Sequence, residues 1–585
     1  ADIVDGTGSP AFRGDLAVEG GIIREVGRVA PDSASRVEVD AAALARSPQK
    51  PLLLCPGFVD IHSHADVALL ARPQHLPKVM QGVTTEVFTN CGLGFAPATE
   101  DSLGIQRSYL RALFGDDTGV DWNWRTVGDL LNHYARQGTG VNIAYLVAHG
   151  PLRTAVMGMQ ARPATPIELE QMVSLLAEAM EAGAWGLSTG LWYAPMCHAG
   201  FEEVVSLARV AGWFATHQRD YGPRLFEATQ ETIAIAEHAG VPAQLSHLQL
   251  GGTQHRGRGP ELVEQLDRAR RSGVDVAWDT YPYGVGSTMI SALLPAWAAE
   301  HGAEAALRHL ADPDASSKIA EHINGLDRDW SSTWFLGLES EDAGTLEGVS
   351  FEQAANSAGC TVGEVVCRVL LSERMRACYA VNHTDEPDMI AFMQHPAHVF
   401  GSDGLHLPGK THPRLHGAFP RVLARYVREL GVLGWEEAIH KMTGGPARRL
   451  GLRDRGVLRV GLAADLCLVD RDEVRDEVGR RARHRSFGFE RRRRRRDQCH
   501  SEMRARMLVQ RVGGGRHLVR ERGAVAVRMT HRRVHGHLRM RDVRVFGRAD
   551  DRHDARSHRF QRKHEREHDE QEAAHARSLA GPVRC

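Results

Sequence analysis

No stretch of the 585 residues reaches the roughly 18–20 uninterrupted apolar residues that a membrane span requires. The opening Ala1-Asp2-Ile3-Val4-Asp5 lacks the basic and apolar regions of a secretory leader. Paired cysteine spacing is missing as well. The nine cysteines are scattered, which argues against a disulfide framework and for free thiols in a reducing compartment, so the expected location is the cytoplasm. Cys55, Cys197, Cys360, Cys367, Cys378 and Cys467 read as small buried hydrophobes. Lysine is absent between Lys78 and Lys318, which removes lysine chemistry from that whole interval.

The hydrophobic content of 42% is that of an ordinary globular protein able to bury a substantial core. The net charge of −1 conceals two opposite parts. Residues 471–585 hold 32 Arg and 1 Lys against 17 Asp and Glu, whereas the first 470 residues hold 39 basic and 56 acidic residues. The body is acidic and the tail is strongly basic.

Residues 1–52 carry short alternating segments, among them Asp15 to Gly27 with Gly20-Gly21 at its centre, which predicts a β-hairpin. The strand-like Ile3-Val4 comes at once, followed by Gly6-Thr7-Gly8, so a preceding strand is expected to be missing and the start reads as that of a fragment. Residues 53–440 alternate short apolar segments with amphipathic helical stretches such as 167–183 and 260–273. The eight apolar segments are 53–62, 83–89, 141–149, 185–188, 213–217, 244–247, 274–279 and 399–403. Eight strands alternating with helices predict an α/β fold, a (β/α)8 TIM-like barrel with an insertion at about 290–395. Residues 441–470 end in a strand-like stretch expected to return to the N-terminal segments as a small β-sandwich domain built from both ends of this region.

Beyond Asp470 the periodicity is lost, and Arg491 to Arg496 are consecutive arginines. One reading is a nucleic-acid-binding arm. The favoured one is a tail that is disordered or out of frame, because a GC-rich gene read in the wrong frame yields Arg without Lys.

The chemistry starts at Pro56-Gly57-Phe58-Val59-Asp60-Ile61-His62-Ser63-His64. In an extended strand residues i and i+2 point to one side, so His62 and His64 present two imidazoles together, as a Zn²⁺ site requires. A lone His-x-His is more often a pair of hydrogen-bonded histidines at a strand end, so the metal reading depends on finding the remaining ligands. Four further residues fall where a barrel gathers its chemistry, at or just past strand ends: Cys91, His217, His247 and Asp403. His149, closing the third strand, reads better as a packed histidine.

This set resembles the N-acyl-D-amino-acid deacylases (D-aminoacylases) of the amidohydrolase superfamily. The resemblance rests on the His62/His64 stretch, Gly82-Val83-Thr84-Thr85 with Asn90-Cys91-Gly92, Gly186-Leu187-Ser188-Thr189-Gly190-Leu191, Ser246-His247, Tyr281-Pro282-Tyr283 with Gly286-Ser287-Thr288, Gly401-Ser402-Asp403 and His412-Pro413-Arg414. It covers about residues 1–470. Many dinuclear amidohydrolases bridge their metals with a carboxylated lysine after the fourth strand, and the lysine gap excludes one here. The resemblance implies instead a bridging thiolate at Cys91. It further implies one tight Zn²⁺ site at Cys91, His217 and His247, with a second, weaker position among His62, His64 and Asp403.

By the same resemblance Asp403 takes a proton from water and passes it to the departing amine. Arg414 clamps the substrate α-carboxylate with help from Tyr281 and Ser287. Gln249 stands where well-known members place a ligand-contacting lysine, and it brings a hydrogen bond without a charge. The implied reaction is zinc-dependent hydrolysis of the amide bond of small-molecule N-acyl-D-amino acids to a carboxylate and a D-amino acid, with no membrane partner. The alternatives are an amidohydrolase acting on a cyclic amide such as a hydantoin or dihydropyrimidine, a non-catalytic basic-tailed nucleic-acid binder, and the inactive product of a damaged gene. A bridging cysteine and Arg414 favour the linear, carboxylate-bearing substrate.

Overall fold

The computed structural model describes residues 1–30, 39–44, 51–115, 119–340, 343–407, 411–476 and 507–511. The expectation of a disordered or out-of-frame tail therefore falls almost wholly outside the described residues.

Eight parallel strands form the central sheet: β1 Phe58–Asp60, β2 Val83–Phe88, β3 Asn142–Ala148, β4 Gly186–Gly190, β5 Phe214–His217, β6 Ala243–Leu245, β7 Val276–Thr280 and β8 His398–Phe400. Each pairs with its neighbour in chain order, which is the row of a (β/α)8 barrel. Val59, Val87, Ala144, Leu146, Ala215 and Val399 from successive strands pack with Ala447 and Leu450 in one buried cluster. The barrel interior is thus filled with side chains.

Helices between the strands begin and end on local signals. Thr165 and Glu168 form a reciprocal capping box at the start of Pro166–Glu181, and Thr126 with Asp129 does the same for Val127–Gln137. Among the described residues no helix is long and apolar enough to cross a membrane.

The stretch 53–62, expected as one strand, is two. Leu53–Pro56 belongs to a separate sheet, and the barrel strand starts only at Phe58. Gly57 is the crossing point. A Cβ there would lie 2.2 Å from the Thr84 hydroxyl, so only glycine lets the chain pass from one sheet to the other.

That second sheet joins distant parts of the chain. Asp2–Ile3 pairs with Phe12–Arg13 and with Leu53–Leu54, Leu53–Pro56 pairs with the strand Asp465–Val469, and this in turn pairs with Met507–Arg511. The hairpin of Asp15–Glu19 and Ile22–Gly27 turns through Gly20 and Gly21, both at positive φ as a tight hairpin turn requires.

Between β7 and β8 the chain builds a three-stranded antiparallel sheet from Val285–Met289, Cys378–Asn382 and Thr333–Leu336. Phe335, Phe351, Ile319, Val366 and Tyr379 give this segment an apolar cluster of its own. Cys197 and Cys360, expected to be buried, are half-buried, because they lie in a 3₁₀ turn and just past a helix end.

Candidate metal centre

The strands of the barrel deliver their terminal residues to one point. His62 and His64 follow β1, Cys91 lies three residues past the end of β2, His217 ends β5, His247 lies just past β6 and Asp403 just past β8. All six are buried, none more than 6% exposed.

Cys91 Sγ is 3.4 Å from both His62 Nε2 and His247 Nε2. Asp403 Oδ1 is 3.4 Å from His62 Nε2 and 3.1 Å from His64 Nε2. Two groups of donor atoms could therefore each hold an ion, one of His62, Cys91 and His247 and one of His62, His64 and Asp403, with His62 common to both. His217 joins through His247, its Nδ1 3.0 Å from His247 Nε2.

Cys91, His247 and Asp403 have φ of 58°, 36° and 49°, left-handed backbone that non-glycine residues seldom adopt. Strain of this kind persists only where the surroundings hold it. The His247 amide donates to Asp279 at 2.9 Å, and the Asp403 amide donates to the His62 carbonyl at 2.8 Å. At Cys91 the room comes from Gly190, where a Cβ would stand 2.1 Å from the Cys91 carbonyl oxygen.

The protonation states suit cation binding. Burial pushes His217 well below its ordinary range and His247 to about 4, so both imidazoles are neutral with a lone pair to offer. Burial also raises the Cys91 thiol, against the opposing pull of His62. Burial alone would raise the Asp403 carboxyl as well, but Arg414, then His62 and His64, hold it well below the usual carboxylate range.

The donor set fits a zinc ion. It combines imidazole, thiol and carboxylate, and His62 Nε2, Cys91 Sγ and His247 Nε2 converge, with His64 Nε2 and Asp403 Oδ1 beside them.

The predicted substrate residues share a cavity of about 400 Å³ with His64, Cys91, His217, His247 and Asp403. Arg414 Nη1 is 2.8 Å from Asp403 Oδ2, and its Nη2 donates to the Ser287 carbonyl at 2.8 Å. Its guanidinium lies 4.8 Å from the centre of the Tyr281 ring. The Tyr281 hydroxyl donates to Gln249 Oε1 at 3.3 Å. Arg414 Nε and Ser287 Oγ are buried without partners. His149 packs away from this cavity, 2.8 Å from Glu203.

Three contributors were missed by the sequence reading. Asp279 Oδ1 meets His62 Nδ1 at 3.1 Å and so fixes which nitrogen of His62 faces the centre. It lies near a barrel-strand end as the ligand candidates do, which was a usable signal. Trp192 stacks on His217 with ring centres 5.6 Å apart, and His383 meets the Tyr281 hydroxyl at 2.8 Å. Neither had a sequence signal.

Fold and donor chemistry together place the protein among the barrel-shaped metal-dependent hydrolases. Residues 51–487 match the model of the amidohydrolase family. A D-aminoacylase of Alcaligenes xylosoxydans xylosoxydans is 34% identical, the match covering 81% of this chain and 87% of the relative. An N-acyl-D-aspartate deacylase of the same organism is 35% identical over 81% of this chain and 86% of its own. The crystal structure of N-acyl-D-glutamate deacylase from Bordetella bronchiseptica, complexed with zinc and a phosphonate that mimics the tetrahedral intermediate, superposes with a TM-score of 0.68. It is 32% identical, covering 81% of this chain and 90% of that one. The chain belongs to the amidohydrolase family, in its N-acyl-D-amino-acid deacylase branch.

Proposed function

We propose that this chain hydrolyses the amide bond of N-acyl-D-amino acids, releasing a carboxylate and a free D-amino acid, with one tightly held Zn²⁺ and a second, weaker position. The observation that carries this reading is the meeting of His64, Cys91, His217, His247 and Asp403 with Arg414 at one cavity, His62 Nε2 lying 3.4 Å from Cys91 Sγ. Cys91, His217 and His247 would hold the tight ion, while His62, His64 and Asp403 surround the weaker position. Bound there, zinc supplies Lewis acidity toward a water nucleophile and an amide carbonyl. The seven described cysteines are all free, which supports the cytoplasm as the compartment.

The chain's own residues supply the rest. Asp403 accepts the proton that water loses as its oxygen bonds to the carbonyl carbon. It then gives that proton to the amine nitrogen as the carbon–nitrogen bond breaks. Arg414 Nε and Ser287 Oγ are two unpaired donors able to take a carboxylate, and Tyr281 and Gln249 border the same space.

The reading is tested by zinc content together with amino acid release from N-acetyl-D-methionine and N-acetyl-L-methionine. Zinc near one equivalent with D-selective release is expected. Zinc without either release would overturn the reaction, and no bound zinc would overturn the site.

Arg414→Lys keeps the positive charge but loses the planar fork. Hydrogen bonds to charged groups contribute about 1.5–3 kcal/mol each, so kcat/KM for N-acetyl-D-methionine is expected to fall by about 10–100-fold. The matching N-acetyl amine without a carboxylate should be cleaved by parent and variant at rates within about threefold. Equal losses on both substrates would remove Arg414 from carboxylate recognition.

A further inference from the structure

The barrel strands are hydrogen-bonded in a row from β1 to β8, and no ladder among the described residues joins β8 back to β1. His62 and His64 stand on one side of this seam and Asp403 on the other. Their spacing therefore depends on what closes it. One closure is a short parallel pairing of Ser63–His64 with Gly404–Leu405.

The other is a buried cluster of charge. Lys78 comes from the helical turn Leu76–Val79, between β1 and β2. Its ammonium donates to Asp60 Oδ2 at 2.6 Å and to the Ser402 hydroxyl, and it lies 3.0 Å from Glu86 Oε1. The side chains of Lys78, Asp60 and Glu86 have no solvent exposure. An ammonium has three donors, and three acceptors meet it. Gly404 leaves the room, since a Cβ there would stand 3.0 Å from Lys78 Nζ.

Each acceptor is tied to a ligand candidate. Asp60 Oδ1 accepts from the Ser402 amide at 2.8 Å and from the His62 amide at 3.3 Å. Glu86 Oε1 accepts from the hydroxyl of Ser63, which sits between the two histidines, at 2.8 Å. Ser402 Oγ donates to the His62 carbonyl at 3.3 Å and precedes Asp403 in the chain.

We propose that Lys78 is a positioning residue for amide hydrolysis: its ammonium clamps β1, β2 and Ser402 across the seam and so sets the distance between the His62–His64 pair and Asp403. The proposal rests on the reading of those three residues as metal and proton-transfer groups. Loss of the clamp displaces Asp403 from the reacting atoms, whereas the clamp's described hydrogen bonds run to His62 and none of them runs to Cys91, His217 or His247.

Two variants test it. Ser402→Ala removes one acceptor and leaves the charged groups unchanged. Lys78→Arg keeps the charge but presents a planar fork that cannot meet three converging acceptors beside Gly404. Zinc content, thermal midpoint, kcat and KM for N-acetyl-D-methionine are measured on both and on the parent, along with the thiolate absorbance of the cadmium-loaded protein as a reporter of Cys91. For Ser402→Ala we expect kcat to fall by about 10–100-fold, as for other supports of metal ligands, with KM within about threefold and tight metal and cadmium–thiolate absorbance retained. Lys78→Arg should lose more. If Lys78→Arg does not fold, Ser402→Ala decides alone. A lower midpoint with unchanged kcat would overturn the proposal by reducing the cluster to plain stability, and loss of the tight metal would overturn it by making the clamp a support of the whole centre. Failure of the parent to bind zinc or hydrolyse would instead refute the underlying reading of the site.

Discussion

Cys91→Ala is expected to fold, to lose its tightly held zinc and to release D-amino acid at less than about a thousandth of the parent rate, in line with the combined loss of a metal's Lewis acidity and its activated water. The fold should survive because Cys91 contributes one small side chain to a loop whose backbone is held from elsewhere. The Ser188 hydroxyl accepts from the Gly92 amide at 3.1 Å and donates to the Thr89 carbonyl, while the Asn90 side chain donates to the Val87 carbonyl at 3.0 Å. The metal should not survive. The sulfur lies 3.4 Å from both His62 Nε2 and His247 Nε2, and as a thiolate it would bring zinc a strong, negatively charged ligand that alanine lacks. Elemental analysis, circular dichroism and hydrolysis of N-acetyl-D-methionine on the same preparation check this. A variant that holds parental zinc and cleaves at parental rate would remove Cys91 from the centre.

Asp403→Asn separates the metal from the proton. Asparagine keeps the shape and one acceptor oxygen, which can serve either His64 or Arg414 but not both, and it can neither take a proton from water nor return one to the amine. General acid–base catalysis contributes about 10²–10⁴-fold, so kcat should fall by about that factor while the tight zinc stays bound. Removing one partner of a buried ion pair also costs about 3–5 kcal/mol of stability at the upper end, because Arg414, 1% exposed, is left beside a neutral group. Zinc content, kcat and the thermal midpoint are read together. A rate within tenfold of the parent would assign proton transfer to another group.

The barrel was legible because it repeats. Eight short apolar segments, most of them closely preceded by a glycine, alternate with helical stretches, and that period survives errors of a few residues at any boundary. The 53–62 segment shows the limit. Its apolar run is continuous because both halves are buried, one in each sheet, and nothing local in the run marks the change of partner at Gly57. Only the approach of Thr84 requires it.

The same limit applies to the site. Histidine, cysteine and aspartate at strand ends are visible one at a time, and barrel topology makes their convergence an expectation. Their supports are different in kind. Asp279 reads as one more strand-end aspartate until its carboxylate is seen between His62 and the His247 amide. Lys78, Asp60 and Glu86 would be taken for surface charges from sequence alone, because isolated charged residues are seldom fully buried.

What the sequence by itself determined is the alternation of strands and helices, the residue types at the strand ends and the absence of lysine from 79 to 317, since these depend on periodicity and composition. Which donor atoms stand together, which residue carries Arg414 against Asp403 and how the β1–β8 seam is closed were decided only in three dimensions. The physical reason is that these contacts join residues up to several hundred positions apart, as Lys78 with Ser402 or Asp60 with the Ser402 amide, and their energy arises from burial and from matched donors and acceptors that no local window contains.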